Sequence, residues 1–301
     1  MRREIAASVV RRALRGVDHR ELVVDLIDGA FVSEAIDFFK QIVSAKMERE
    51  SITLEWYKSH FLDKDLDKAE LANNAGLNIK TINNRRQTTR KEVVIEESLA
   101  HLDKFVDLIN TLDDDSVNID LSLTFREVTV RLNLNESLVV INALAVKWAS
   151  LRGGAWSAVG KQVEGPLMEA LCRLFQVDER HFTRSITDDE SLREVDYYLL
   201  PPSGERLKCE VKLMGRGNPE SADVVLARSS KIFVASVLSD LNKKQLQDRG
   251  IYWTELQTTN GFLRFKETLN GVGIPYTDLA KKSDYSRDID RAVQLTFRGN
   301  R

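Results

Sequence analysis

One short segment constrains the fold of this 301-residue chain more than any other, because Pro-Pro-Ser-Gly at residues 201–204 separates two short apolar runs. Consecutive prolines cannot continue a central strand, and Gly204 can adopt a positive φ, so the pattern predicts a β-hairpin. If the loop is residues 201–204, Leu200 pairs with Glu205. That register would place Asp196 opposite Cys209.

The strand after this turn carries two charged residues two positions apart. Because side chains alternate along a strand, Glu210 and Lys212 share one face while Val211 points into a core. Two nearby carboxylates, Asp196 and Glu210, repel each other unless a cation lies between them, and oxygen ligands favour Mg²⁺. A lysine beside such an ion can orient water or stabilise a phosphate. The same charges are also common on solvated strands, so the triplet alone does not identify a site.

The context of the triplet resembles a known motif. Asp196, Glu210 and Lys212 have the spacing Asp-x13-Glu-x-Lys, which resembles the PD-(D/E)XK nuclease motif, with Val195 where that family often has proline. Upstream, apolar residues at helical spacing predict a core-facing helix at residues 156–175. Its segment from Gly160 to Glu164 is similar to the Gly-x-x-x-Glu arrangement of these nucleases.

The elements after the motif complete a pattern. Asn218 and Pro219 predict the start of a helix that runs to about Arg228. The predicted elements that follow are a strand at 231–237, a helix at 240–248 and a strand at 251–256. This order matches the αβββαβ core of restriction-endonuclease-like folds, with a mixed sheet flanked by helices. Residues 209–223 resemble type II restriction endonucleases of the CfrBI type, and the resemblance covers roughly residues 68–260.

The resemblance implies a set of catalytic residues, namely Asp196, Glu210, Lys212 and Glu164. Asp196 and Glu210 would bind Mg²⁺, with Mn²⁺ as a substitute, and the main-chain carbonyl of Val211 would add a ligand. Lys212 would position the attacking water. Glu164 would hold a metal-bound water or a second ion. In-line attack at phosphorus would leave a 5′ phosphate.

Two residues beyond the lysine are candidates for contact with DNA. In the family that recognises CCGG, an arginine four residues after the lysine reads guanine, and Arg216 has that separation from Lys212. This sequence departs from that family because its glutamate is Glu210 rather than a downstream residue. Asn218 and the helix that begins at Pro219 would meet DNA beside the site, since helix N-termini favour phosphate.

Residues 68–86 have the spacing of a helix-turn-helix motif. Ala72 would allow two helices to approach, Gly76 would make the turn, and Ile82 would fix the second helix. Residues 71–91 include five basic residues and no acidic one. A helical hairpin that does not contact DNA is the alternative. The exposed side chains expected to reach bases or phosphates are Lys80, Thr81, Asn83, Asn84, Arg85 and Arg86.

Composition bounds the domain organisation. The sequence has 44 Lys and Arg against 46 Asp and Glu, so the net charge does not by itself indicate a nucleic-acid partner. An Arg-Gly-Gly hinge at 152–154 would separate a mostly helical domain at 1–152 from a nuclease domain at 153–301. The first would contain the helix-turn-helix, at about residues 68–90, and serve DNA recognition and dimerisation. The predicted class is therefore α+β.

The apolar runs and the cysteines bear on the cellular location of the protein. The longest apolar run is too short to span a bilayer. Cys172 and Cys209 fall at predicted core positions, which favours reduced thiols. We therefore expect a cytoplasmic bacterial or archaeal protein with no membrane partner.

The resemblance implies a type II restriction endonuclease that cleaves double-stranded DNA at specific sequences with Mg²⁺. Cutting both strands of a two-fold target favours a homodimer. A companion DNA methyltransferase would belong to the same system without being a stable subunit. Two alternatives stay open: a helix-turn-helix regulator with an inactive nuclease-like domain, and a structure-selective nuclease such as a junction resolvase.

Overall fold

A computed structural model describes residues 3–75, 77, 79–111, 121–184, 197–213, 225 and 228–298, without the side chains of 73, 80, 81, 105, 106, 108–111 and 153–158. The chain divides into two compact units. One comprises Met1–Val24 with Trp156–Arg301, and the other comprises Asp25–Ala155. Two helices, α2 (Arg20–Met47) and α7 (Leu134–Leu174), belong partly to each unit.

The unit of Asp25–Ala155 is mainly helical. Besides its parts of α2 and α7, its described elements are α3 (Leu54–Phe61), α4 (Lys68–Asn74), α5 (Ile79–Arg86), α6 (Lys91–Thr111), β1 (Leu121–Phe125) and β2 (Val128–Leu132). The two strands form an antiparallel hairpin. Thr53 begins α3 as its N-cap, because its hydroxyl accepts a hydrogen bond from the main-chain nitrogen of Trp56 at 3.1 Å.

Aromatic side chains fill the core of this unit. Phe38 and Phe61 pack edge to face with ring centroids 5.2 Å apart, and Tyr57 stacks on Phe61 at 4.8 Å. The Tyr57 hydroxyl donates to the main-chain oxygen of Asn74 at 2.9 Å, and the Asn74 amide donates to the main-chain oxygen of Phe61 at 2.7 Å. These two hydrogen bonds connect α3 to α4 and so hold α4, the first helix of the α4–α5 pair, against the aromatic core.

Helices α4 and α5 are both short and bury the residues expected of two packed helices. Leu71, Ala72, Ala75 and Ile82 are buried in the same core. Gly76 lies outside the described residues. Two helices that pack in this way agree with the predicted spacing, while their identity as a DNA-binding helix-turn-helix stays a prediction.

The other unit contains a mixed sheet flanked by helices. Its elements in the described part are α1 (Arg3–Leu14), β3 (Phe182–Thr183), β4 (Tyr197–Leu199), β5 (Leu207–Lys212), β6 (Ile232–Ala235), α8 (Asp240–Asp248), β7 (Tyr252–Glu255), α9 (Phe265–Gly271) and α10 (Ser286–Arg298). The described sheet has five strands in the order β3-β4-β5-β6-β7. The first three strands pair antiparallel, and the last three pair parallel. The prediction of a mixed helical and sheet structure is confirmed.

Residues 152–154, where an Arg-Gly-Gly hinge was predicted, are helical because α7 continues through them. A glycine lowers helix stability by only about 1 kcal/mol relative to alanine. Apolar faces on both sides outweigh that cost: Val140 and Ala143 are buried before the glycines, and Val163 and Leu167 after them. The division of the chain into compact units, between Ala155 and Trp156, falls within the residue range of this helix, and the predicted domain ranges stay a prediction.

The predicted hairpin register is wrong by one residue. The turn itself forms, since the main-chain nitrogen of Gly204 donates to the oxygen of Pro201 at 3.0 Å. The prediction extended both strands to the turn, but β4 ends at Leu199. As a result Tyr197 lies opposite Cys209.

The first helix packs within the sheet-containing unit. Arg11 of α1 and Arg15, the residue just after this helix, form ion pairs with Asp290 of α10 at 2.9 and 2.8 Å. After α1, Gly16 has a φ of 69°, and a Cβ there would lie 2.9 Å from the main-chain oxygen of Thr258. The glycine therefore permits close approach to the chain that follows β7.

Cys172 and Cys209 are both free and buried, as expected from the sequence. Burial raises the pKa of the Cys172 thiol, which keeps it protonated. No helix in the described part of the chain combines the length and apolar character that crossing a membrane requires.

Candidate active site

Strand β5 carries Glu210 into the interior of the sheet. The strand is paired on both edges, with β4 on one side and β6 on the other, and Glu210 lies opposite Phe233 of β6. The exposed fraction of the Glu210 side chain is 0%. Because a fully buried carboxylate is costly unless it is paired, its partners define the site.

Two cations contact this carboxylate. The ammonium of Lys212 lies 2.8 Å from Glu210 Oε1. Arg228 Nη1 donates to both Oε1 and Oε2 of Glu210, at 2.8 Å each. Period-two alternation puts Lys212 on the same face of β5 as Glu210, so the first contact follows directly from the sequence.

The Lys212 ammonium has further oxygen neighbours. Its Nζ donates to the main-chain oxygen of Val211 at 3.1 Å and lies 3.7 Å from Glu164 Oε1. Three oxygens from Glu210, Val211 and Glu164 therefore surround one positive group. The structure brings these four predicted site residues together.

Helix α7 supplies Glu164 to the cluster. Its apolar side, which includes Val163, Leu167 and Leu171, is fully buried and fixes the rotation of the helix. A Cβ at Gly160 would lie 3.3 Å from Glu164 Oε1. Because this separation is tighter than an ordinary contact, Gly160 gives the carboxylate room one turn earlier in the helix, which explains the Gly-x-x-x-Glu spacing.

The described charges of the cluster balance. Glu164 and Glu210 supply two negative charges, and Lys212 and Arg228 supply two positive ones. Such balance makes burial of Glu210 tolerable in a low-dielectric interior. A further carboxylate would leave the cluster negative and favour an additional cation.

His19 supports the end of β5. Its Nε2 lies 3.1 Å from the main-chain oxygen of Leu213, the residue after Lys212. Burial lowers the pKa of His19, so the neutral imidazole donates from Nε2. Ser236 of the next strand also contributes, because its main-chain nitrogen donates to the oxygen of Lys212 at 3.0 Å.

Several predicted site residues, or their side chains, lie outside the described part of the chain. Asp196, Arg216 and Asn218 lie outside the described residues. Lys80 and Thr81 belong to α5, but their side chains lie outside the described part. Among the side chains that the structure describes, no three acidic, histidine or cysteine groups converge in a way that could hold a metal ion.

The remaining predicted DNA contacts lie on α5 as well. Asn83 and Asn84 are exposed. Arg85 Nη1 lies 3.1 Å from Glu97 Oε2, and Arg86 Nε donates to Glu97 Oε1 at 2.5 Å. Glu97 is buried in α6, so the two arginines link α5 to the helix behind it.

Sequence reasoning missed Arg228 and His19 as parts of this cluster. Arg228 follows no motif spacing and was expected at a helix end. The one available signal was indirect: a glutamate in a buried strand between apolar residues needs more than one cationic partner. His19 is nearly 200 positions from β5, and local patterns do not reveal a contact at that separation.

Comparison with known proteins adds the family. The family model described as CfrBI restriction endonuclease matches residues 3–243. The chain belongs to this family. The protein is therefore a type II site-specific deoxyribonuclease, and its substrate is DNA. No curated protein and no solved structure gives a significant match.

The CfrBI-family match includes every described residue of the cluster. Glu164, Glu210, Lys212 and Arg228 fall inside it, and it begins well before the predicted start at residue 68. Sequence-specific cleavage of DNA follows from membership in the family. Membership supports the nuclease hypothesis over the alternative of a regulator with an inactive domain.

Proposed function

We propose that Glu210, Lys212 and Glu164, completed by Asp196, form a Mg²⁺-dependent catalytic centre that hydrolyses double-stranded DNA and leaves 5′ phosphates. The observation that carries the proposal is the surroundings of the Lys212 ammonium. Two carboxylates and a main-chain carbonyl approach one cation within 3.7 Å. Such a set of oxygens suits a hard divalent cation.

The donor chemistry fits magnesium. Glu210 and Val211 are neighbours in β5, and both present oxygen to the same ammonium. Asp196 directly precedes Tyr197 in the chain, and Tyr197 pairs with the residue before Glu210. We propose that Asp196, Glu210 and the Val211 carbonyl would hold the ion, with Glu164 holding a water or a second ion. Bound there, the ion would stabilise negative charge on the scissile phosphate.

Lys212 has the central role among the protein groups. Its ammonium would leave the carboxylates, orient the attacking water and stabilise charge on the phosphate. The water would lose a proton to solvent as its oxygen bonds to phosphorus in line. The bond from phosphorus to the 3′ oxygen would break, and that oxygen would take up a proton from solvent. The products would be a 3′ hydroxyl and a 5′ phosphate.

The DNA contacts of the helical part are proposed to come from α5. Asn83 and Asn84 expose amides that can pair with adenine, and Lys80 and Thr81 belong to the same helix. Arg85 and Arg86 remain about half exposed although they contact Glu97. A guanidinium has five N–H donors, so both can bind a phosphate while keeping that contact.

Arg216 and Asn218 are proposed to contact DNA near the chemistry, because they follow Lys212 closely in the chain. The helical domain at 1–152 would serve recognition and dimerisation, and 153–301 would form the nuclease domain. A homodimer would bring two copies of the centre to a two-fold target. The cleavage specificity would be matched by a companion methyltransferase that protects host DNA.

Plasmid digestion tests the proposal. Purified protein with Mg²⁺ should give discrete fragments that ligate without prior phosphorylation, and EDTA should abolish cleavage. Lys212→Ala should lose cleavage by at least about 10²-fold while DNA binding is retained. Cleavage that persists in EDTA, or an unaffected Lys212→Ala variant, would refute the proposed centre. Faster cleavage of branched than of linear duplexes would favour the structure-selective alternative.

A further inference from the structure

In the described cluster, Arg228 contacts both carboxylate oxygens of the fully buried Glu210. One nitrogen, Nη1, lies 2.8 Å from each carboxylate oxygen. The Arg228 side chain is 32% exposed while Glu210 is fully buried. The guanidinium therefore reaches from the protein surface to a buried anion.

The Arg228 contact involves the same oxygens that a metal ion would use. A carboxylate has about four lone-pair positions, and the contacts of Arg228 and Lys212 with Glu210 occupy three of them. One position remains for a divalent ion, which would then lie beside the two cations that already contact the carboxylate. The ion would repel a guanidinium that lies this close, since both are cations.

We propose that Arg228 is a positioning residue that competes with the divalent ion for Glu210. This inference rests on the proposed metal centre. Before the ion binds, Arg228 contacts both oxygens of the buried Glu210 and offsets its charge. When the ion binds, Arg228 withdraws from the oxygen that the ion takes. The competition raises the metal concentration that the enzyme requires.

Arginine suits such exchange better than lysine does. Its guanidinium stays charged at any physiological pH, so the competition is with the ion and not with a proton. Its charge is spread over a planar group, which is less strongly hydrated than an ammonium and can approach a buried carboxylate. Because a third of the side chain is exposed, the arginine can leave Glu210 for solvent without crossing the core.

Metal titration followed by thermal unfolding tests the competition without relying on activity. The protein as it exists is titrated with Mg²⁺, and the unfolding temperature is measured at each concentration for wild type and Arg228→Met. Without metal, the variant should unfold at a lower temperature because Glu210 has lost a partner. Its half-saturating Mg²⁺ concentration should be about tenfold lower than that of wild type.

Matched variants make the result decisive. Arg184→Met removes an arginine of similar exposure, 36%, from a different carboxylate, Glu169, in the same unit. It should lower the unfolding temperature and leave the half-saturating concentration unchanged. If Arg228→Met does not fold, Arg228→Lys replaces it, and the expected change is about threefold in the same direction, since one ammonium holds the carboxylate less firmly.

The outcomes separate this inference from the proposed function. An unchanged or higher half-saturating concentration in the Arg228 variant overturns the competition while leaving the metal centre intact. In Glu210→Gln, the Mg²⁺-dependent shift should disappear. If that shift persists unchanged, or if wild type shows none, the metal centre at Glu210 is wrong and the inference is overturned with it.

Discussion

Glu210 and Glu97 are both buried carboxylates with two cationic partners, but they lie in different units and have different surroundings. Glu210 is fully buried beside Lys212 and Arg228, and Glu97 is 4% exposed beside Arg85 and Arg86. By charge alone, the two clusters look alike. Buried ion pairs are weak indicators of function for this reason.

The difference lies in the other oxygens around each cluster. At Glu210, the Lys212 ammonium also contacts the Val211 carbonyl and lies near Glu164. At Glu97, the described contacts are with the two arginines of α5, which are 56% and 48% exposed. A cluster with several oxygen atoms that can ligate a metal could exchange its ammonium for a metal ion. The Glu97 carboxylate, bound by two arginines, instead joins two helices.

The largest expected effect comes from neutralising each carboxylate in turn. Glu210→Gln removes one oxygen ligand and both ion pairs, so the rate of DNA cleavage should fall by about 10³-fold. Glu97→Gln should leave the single-turnover cleavage rate at saturating enzyme within a few-fold of wild type. It should lower the unfolding temperature by about 2–4 °C, since its arginine partners are partly solvated.

Both variants are compared by single-turnover cleavage and thermal unfolding. Separation of chemistry from DNA affinity matters here, because Glu97 holds arginines that are proposed to bind DNA. If Glu97→Gln lost the chemical step as strongly as Glu210→Gln, the distinction between the two clusters would fail.

The oxygen neighbours themselves give the next largest effect. Glu164→Gln keeps the size of the side chain but removes the charge beside Lys212, and a group of this kind typically affects activity by about 10–100-fold. The matched control is Glu169→Gln on the same helix, whose carboxylate pairs with Arg173 and Arg184.

Glu169→Gln should reduce stability and leave the cleavage rate nearly unchanged. The measurements are the single-turnover rate over a range of Mg²⁺ concentrations and the unfolding temperature. Equal rates for the two variants would show that Glu164 lies near the centre without contributing to it.

The sequence was sufficient for contacts that local periodicity determines. Alternation along β5 predicted that Glu210 and Lys212 share a face, and helical spacing predicted the buried side of α7 next to Glu164. Both depend on rules that act over a few residues. The strands β6 and β7 and the helix α8 were predicted for the same reason.

The parts that failed depend on what a local pattern cannot determine. The register between β4 and β5 follows from where pairing begins, and a four-residue turn does not determine that. Glycines at 153–154 permit a hinge but do not require one, and α7 continues through them. Arg228 is close to Glu210 because a parallel crossover returns the chain to β6, which no short motif records.

A third prediction tests whether the Glu97 cluster also serves DNA binding. Arg85→Gln removes a charge that is more than half exposed. If Arg85 contacts a phosphate, DNA affinity should fall equally for all sequences, and the slope of log affinity against log salt should become shallower by about 1. Equilibrium binding at several salt concentrations without divalent ions measures this. An unchanged slope would assign Arg85 to helix packing alone.

The smallest effect concerns His19, which supports the strand end next to Lys212. Burial lowers the pKa of His19 below its ordinary value of 6.5, although its bond to the Leu213 oxygen opposes that shift. Between the folded and unfolded pKa values, the unfolded chain binds more protons than the folded one. The contribution of neutral His19 to stability is therefore complete above about pH 6.5 and is lost as the pH falls below it.

His19→Gln tests this contribution because the amide can still donate to Leu213 but does not titrate. The variant should be less stable than wild type at pH 8, by about 2 °C in unfolding temperature, and the difference should shrink at pH 5.5. If the difference in unfolding temperature between the variant and wild type is the same at both pH values, His19 keeps one protonation state throughout. A loss of cleavage at pH 8 larger than the loss of stability would indicate that the Leu213 contact sets the position of Lys212. No corresponding loss of cleavage is expected at Glu97, because its described contacts are with two arginines of a helix and not with the end of a strand.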